Sequence, residues 1–413
     1  MRLGGRFWPL AACAAFPALV LVTLVSLVVN LPIYDEWIWS PLVRAMFDGT
    51  LRPADLWTTQ GAHRSVVPTA IVLALARIDR WDTRIESVVS VALCVGTQFF
   101  LWRLFATLPA RRRMPALLLA SALLFSLAQS ENWVWGFQIS WYLVEFCTVA
   151  VIAVLSTRTV GPARFALAAI AAIAASYSLI FGFGAWMAGA IVLRNRRLIV
   201  AWAALALGCA ASFLIAYRLP PQEQGWVAGS GAFDVPQFFL AYLGAPLGCF
   251  GGLPLCEALG ALLVVGIVAA ARRATGDRAP WLALAAFVAV ADAMETVGRA
   301  GNGVNAALAF RYTTPATLGW IALVGFGAQA QLPRLGHRIA ALTMTGCLAF
   351  ADLAGYVYGY TLIGMQRNAN AALRNLARVD DDELAEYAND PRIIRSEAAR
   401  LAAARLGPYA PGD

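Results

Sequence analysis

Four strings of this sequence bring acids, arginines and aromatic rings close together. NLPIYDEWIWSP puts Asp35 and Glu36 beside Trp37 and Trp39, directly after a long apolar run. QGAHRS adds His63 and Arg64 further along the same connection. SENWVWGFQ supplies Glu131, Asn132 and Gln138, with Glu145 two turns into the segment that follows. Gln138, Tyr142 and Glu145 are spaced four and three apart and share one helix face. ADAMETVGRAGNGVNAALAFRYTTP carries Asp292, Glu295 and Arg299 on one face, then a glycine-rich turn, then Arg311 and Tyr312. A carboxylate can take a proton from an attacking hydroxyl, and arginine's planar fork suits a phosphate. A substrate with sugar hydroxyls and a phosphate needs both.

Each group also has a plainer reading. Asp35 could only cap the helix that follows it, with Glu36 adding charge to its first turn. Glu295 and Arg299, four apart, could only pair along their helix. His63 reads as a loop hydrogen-bonder, because a carboxylate base is already at hand. Glu145 could be a protonated packing residue tied to Gln138, and the glycines of SLIFGFG could only allow close helix packing.

The elements that must position these residues are membrane elements. The 413-residue chain is 60% hydrophobic and only 14% charged, and its mean hydropathy is +0.66. A soluble domain carries about 25% charged residues, so the composition fits a multi-pass membrane protein. Eleven apolar spans fall between Leu10 and Tyr360. The first is too long for the core of a signal peptide and reads as a retained helix. All 32 basic residues are arginine. They form short clusters between spans rather than a basic stripe interleaved with aromatics, which argues against a nucleic-acid partner. Seven cysteines lie mostly within apolar runs, without metal-ligand spacing. Cys249 and Cys256 flank one connection and read first as packing residues, with pairing as the alternative.

The clusters Arg2/Arg6, Arg111–Arg113, Arg158/Arg164, Arg194–Arg197, Arg272–Arg278 and Arg334/Arg338 occupy every second connection. That alternation predicts a cytosolic N-terminus and an outer C-terminus. It also confines the helix-like stretch Ser65–Arg80 to the outer interface. Glu36, Ser40, Arg44 and Asp48 recur every four residues opposite apolar neighbours, predicting an amphipathic helix lying in the membrane plane. Trp37, Trp39, Trp57, Trp81, Trp133 and Trp135 fit an outer aromatic belt. The fold expected is all-α: a polytopic bundle of about eleven transmembrane helices over residues 1–360. Interfacial helices sit in its first outer loop, and residues 361–413 form a short soluble helical tail.

An acidic pair just after the first helix, on an outer loop with interface helices, resembles the GT-C superfamily of membrane glycosyltransferases, over about Leu10–Tyr360. The DEW, HR, ENxxxxFQ and RY strings are similar to those of uncharacterised bacterial membrane proteins. The resemblance implies transfer of a sugar from a polyprenyl-phosphate donor to a glycan or lipid acceptor. The reaction would occur at the outer leaflet of the bacterial cytoplasmic (inner) membrane. It maps the general base onto Asp35, with Glu36 as the alternative, and the carrier phosphate onto Arg299 and Arg311. His63, Arg64, Glu131, Asn132, Gln138, Glu145, Asp292, Glu295 and Tyr312 complete the expected substrate-binding set. The large C-terminal domain of many such enzymes is reduced here to the tail. No organic cofactor is required, because the donor is already activated; a divalent metal stays open, although no residue cluster indicates one. The alternatives are a transporter or flippase for a lipid-linked sugar or amphipathic anion, and a non-catalytic scaffold with the same fold. A transporter should show paired repeats with matching broken helices. SLIFGFG is one clear break and has no partner in the sequence.

Overall fold

The computed structural model describes residues 8–218, 231, 233–331, 334–387 and 390–411. Arg2, Arg6 and the last residues of the tail lie outside the described residues. The rest is helical, with no sheet among the described residues. The helices are α1 (Trp8–Thr23), α2 (Ser40–Phe47), α3 (Val66–Asp79), α4 (Thr83–Phe105), α5 (Ala110–Leu124) and α6 (Ser130–Val134). Next come α7 (Ile139–Leu155), α8 (Pro162–Ser176), α9 (Gly184–Val192), α10 (Arg196–Leu214), α11 (Asp234–Gly248) and α12 (Leu253–Arg273). The chain ends with α13 (Ala279–Arg299), α14 (Thr313–Gln329), α15 (Arg334–Leu373), α16 (Asp381–Ala385) and α17 (Pro391–Ala404).

Each expected span coincides with a helix. Among the described residues, seven are long and apolar enough to cross a membrane: α4, α5 continued through α6, α7, α10, α12, α13 and α15. Apolar segments at Cys13–Leu27, Pro162–Ser176 and Ile180–Val192 are shorter. Position in the bundle follows side-chain pattern. The stretch containing α7 is apolar on every side and 89% buried, whereas that of α10 is only 17% buried and turns its apolar surface outward.

Two helices fall outside the expected ones, the five-residue α6 and the longer α11. α11 is only 15 residues long and ends near Pro246, so its sequence gives a weak span signal. It is stabilised by close approach to α12: a Cβ on Gly244 would lie 1.9 Å from the Cys256 carbonyl oxygen, and one on Gly260 would lie 1.9 Å from that of Leu240. Glycine lets these two backbones touch. Cys249 and Cys256 near this crossing are free buried thiols.

Most of the arginine-bearing connections gather at one end of the bundle. Arg112 donates to the carbonyls of Ala328 and Ala330 at 2.9 and 3.0 Å. Arg194 pairs with Asp277 at 2.7 Å. Ala274 bridges to Ala330, and the Gln331 amide donates to the Arg273 carbonyl at 3.3 Å. The first loop, α6, the 300–312 turn and the tail come together at the other end.

Two sequence expectations are corrected there. The stretch from Tyr34 to Phe47 does form a short 3-10 helix followed by α2, with Pro41 in the first turn. Its apolar side, however, packs on protein: Trp37, Trp39 and Val43 share a core with Val72, Leu73, Leu384, Ile394 and Leu401. The tail supplies the apolar surface expected from lipid. Trp81, Trp133 and Trp135 are likewise buried rather than belted around the rim. Furthermore, α15 is a single 40-residue helix, about 60 Å long against a hydrocarbon core of about 30 Å. The change of composition after Tyr360 therefore falls inside a helix, whose last turns pack Ala369, Ala372 and Leu373 into the core shared by the first loop and the tail.

The tail is fastened to the first loop by polar contacts as well. Glu397 accepts from Ser40 at 2.8 Å and from Arg44 Nε at 3.1 Å, and pairs with Arg400 at 2.8 Å. Burial works to raise this carboxyl, but the hydrogen bonds from Arg44, Ser40 and Arg400 outweigh it and hold it below its ordinary range. Arg80 donates to the carbonyls of Ala404 and Arg405, and Asn30 to that of Gly407. Glu397→Ala should therefore destabilise the loop–tail contact by about 2 kcal/mol. Hydrogen exchange should speed up together in residues 34–47 and 391–404. Faster exchange in the tail alone would show that the two segments are not coupled through this carboxylate.

Candidate functional site

The two adjacent acids of the first loop have different environments. Ile33, in extended conformation, is the N-cap of the 3-10 helix, and Glu36 reaches back to accept its N–H at 3.1 Å. Glu36, not Asp35, is the capping residue, and it is buried. Its other oxygen faces Glu86, a residue the sequence did not single out, at the start of α4. A Cβ on Gly136 would lie 2.7 Å from Glu36 Oε1 and 2.8 Å from Glu86 Oε2, so the missing side chain makes room for a carboxyl pair. Trp81 Nε1 donates to the remaining Glu86 oxygen at 3.1 Å. Burial raises Glu36 to about 8, against hydrogen bonds from Glu86 and Ile33 that act the other way. Two carboxyls this close cannot both ionise readily. Glu36 as an alternative catalytic base is thus corrected to a buried cap.

Asp35 is half-buried. It follows Tyr34, which has φ of 48°, a left-handed conformation costing a non-glycine residue on the order of 1–3 kcal/mol. Fixed neighbours hold it there. The Tyr34 amide donates to the Tyr387 carbonyl at 2.8 Å, and its ring meets Trp135 edge-on at 5.4 Å. Burial raises the Tyr34 phenol, and the charges of Glu131 and Glu386 add to the effect, which places Glu131 close to this loop.

A polar tract continues from Glu131. Its carboxylate lies 3.7 Å from Arg311 Nη1, and Asn132 donates to the Arg311 carbonyl at 3.1 Å and to Thr314 at 2.6 Å. Arg311 lies over the Tyr312 ring at 5.1 Å. The ring of Tyr312 lies 5.6 Å from that of Tyr242 and within the fields of Glu295 and Arg299. Asp292, one turn below Glu295, is fully buried and accepts from Thr296 at 3.2 Å.

The tract ends at a cavity of about 340 Å³ between the first loop, the Ile180 turn and α13. His63, Glu295 and Arg299 form its polar edge, while Ile180, Val290, Met294 and Val297 form its apolar wall. The Ile180 amide donates to His63 Nδ1 at 3.1 Å. Burial, then the nearby charge of Arg299, holds the imidazole down at about 4, so it is neutral at physiological pH.

Three expected binding residues lie elsewhere. Arg64 is 1% exposed. It donates to the main-chain carbonyls of Trp57, Phe213 and Ile215 and stacks on Trp57 at 4.8 Å. This arginine clamps the first loop to the end of α10, and its assignment to substrate binding is corrected. Glu145 is buried in α7 near Cys94, at 4.0 Å. Gln138 is buried at the start of α7. Neither lines the cavity.

Sequence reasoning missed Glu86, Tyr34 and Tyr242. Glu86 carries a signal in retrospect, as an acid one turn into a membrane-length helix. Tyr34 and Tyr242 carry none, being aromatic residues beside apolar runs. Among the described residues, no group of three or more His, Cys, Asp or Glu could hold a metal ion. No family model matches the chain, and neither a curated protein nor a solved structure matches it.

Proposed function

We propose that the protein is a membrane glycosyltransferase resembling the GT-C type, which moves a sugar from a polyprenyl-phosphate donor to a glycan or lipid acceptor. The observation that carries this reading is the polar tract at one end of the bundle. It starts at the loop bearing the half-buried Asp35, passes through Glu131 and Arg311, and ends at Glu295 and Arg299. In the proposed reaction an acceptor hydroxyl attacks the anomeric carbon while Asp35 takes its proton. The bond from anomeric carbon to phosphate oxygen breaks, and the phosphate leaves with the electron pair. Oxocarbenium character develops on the sugar as negative charge gathers on the phosphate. Arg311 and Arg299 stabilise that charge, and Tyr312 and Glu295 bind around it.

All eleven expected spans belong, on this reading, to one bundle in the cytoplasmic membrane, the shorter helices entering it without each crossing alone. The end that gathers the arginine connections faces the cytosol. The first loop and the tail face outward.

Arg299→Ala and Arg311→Ala should each weaken donor binding by at least about tenfold, because a charged hydrogen-bonding partner of the phosphate is lost. Titrating a polyprenyl-phosphate sugar into purified, monodisperse protein measures this. Unchanged affinity in both variants would remove the phosphate assignment.

A further inference from the structure

The His63 ring has two nitrogens, and the fold fixes the role of one of them. Nδ1 accepts the Ile180 N–H at 3.1 Å, so it carries no proton of its own. In the neutral ring the proton must sit on Nε2. Among the described residues Nε2 has no protein hydrogen-bond partner, and it is not a buried orphan. His63 lines the 340 Å³ cavity, so this N–H is available to a ligand there. A ring held in this tautomer donates and cannot act as a base at the same atom. Around the same cavity Arg299 supplies positive charge, Glu295 one turn before it on α13 supplies a carboxyl group, and Ile180, Val290, Met294 and Val297 supply an apolar wall. Val297 is also exposed on the outer surface of the bundle, so the wall runs out to where an apolar chain would lie.

We propose that His63 is a fixed hydrogen-bond donor to an oxyanion in this cavity. Its Nε2–H meets a phosphate oxygen, and the apolar substituent of that phosphate lies along Ile180, Val290, Met294 and Val297. The inference rests on the reading above, in which Arg299 attracts a phosphate, and assigns to His63 a positioning role within that site. It excludes His63 as the proton acceptor of the reaction. The free ligand chemistry is that of a phosphate ester, from either a lipid headgroup or a small soluble phosphate, and the apolar wall favours the former.

Two substitutions separate the two nitrogens. His63→Asn puts an amide oxygen near the Nδ1 position, so it keeps an acceptor for Ile180 and loses the donor in the cavity. His63→Gln does the reverse, carrying an N–H near the Nε2 position. The probe is methyl decyl phosphate, a diester with one charge across the pH range used, titrated into the full-length protein in detergent. Inorganic phosphate and decanol are the comparison arms. Wild type should bind the diester more tightly than either comparison. His63→Asn should keep its thermal stability and lose affinity by at least about tenfold, and His63→Gln should stay within about threefold of wild type. Wild-type affinity should be level from about pH 5.5 to 8, as a neutral donor requires.

Asn and wild type binding alike would overturn the donor role, while loss in Arg299→Ala alone would leave the phosphate reading standing. No binding of the diester by wild type would overturn both. Inorganic phosphate binding as tightly as the diester would overturn the apolar part. Tightening on acidification that disappears in His63→Gln would show an imidazolium and overturn the tautomer argument.

Discussion

Asp35→Asn is expected to reduce sugar transfer by at least about 100-fold while leaving donor affinity nearly unchanged. Asparagine matches aspartate in size and in capping ability, so the comparison isolates the proton acceptor. The structure sharpens it further. At this helix it is Glu36 that accepts the Ile33 amide, so that hydrogen bond is kept in Asp35→Asn. Tyr34, with its left-handed backbone anchored by the Tyr387 carbonyl, sets the direction of the chain entering Asp35. Glu36→Gln should cost transfer far less, because that carboxyl is buried against Glu86. Transfer rate and donor binding are measured on the same folded preparations. Normal turnover in Asp35→Asn would end the catalytic assignment of this residue.

How far the sequence could be read depends on which physics wrote each feature. Helix positions were open to view because a span declares itself through about twenty residues of uniform apolarity. The grouping of arginine connections was equally open, since charge is excluded from the bundle interior. α11 was not, because close packing through Gly244 and Gly260 lets a short, proline-interrupted segment join the bundle. The first loop was half legible. Periodicity marks Trp39 and Val43 as one apolar side, but periodicity cannot say whether lipid or α17 covers it. At the site, Glu295, Arg299 and His63 line one cavity, and Glu131 and Arg311 meet. Arg64 shows the opposite outcome. A sequence reveals a charge near a proposed site, not that three main-chain carbonyls already occupy it.

The Glu36–Glu86 pair should make the protein less stable as pH rises through the neutral range. Glu36 is raised from 4.5 to about 8, so between those values the folded state holds a proton that the unfolded state has released. Stability then falls as pH rises, with a slope of up to about 1.4 kcal/mol per pH unit for one such proton. Below about pH 4.5 both states hold the Glu36 proton, and above about pH 8 neither does, so the contribution of Glu36 levels off at both ends. A proton shared by the pair explains why two carboxyls are tolerated against Gly136, where Trp81 and the Ile33 amide are the further donors among the described residues. Asp79, whose charge also reaches Glu86, adds to the repulsion once that proton leaves. Because Glu36 fixes Ile33, its loss should loosen the loop carrying Asp35 before the bundle unfolds. Glu36→Gln/Glu86→Gln keeps shape and hydrogen bonding without the titration. Its unfolding temperature should vary less between pH 5 and 8 than that of the wild type and should exceed it at pH 8. Equal slopes for the two proteins would show that the pair holds no shared proton, and the loop would then owe its order to the tail contacts at Tyr387 and Glu397 alone.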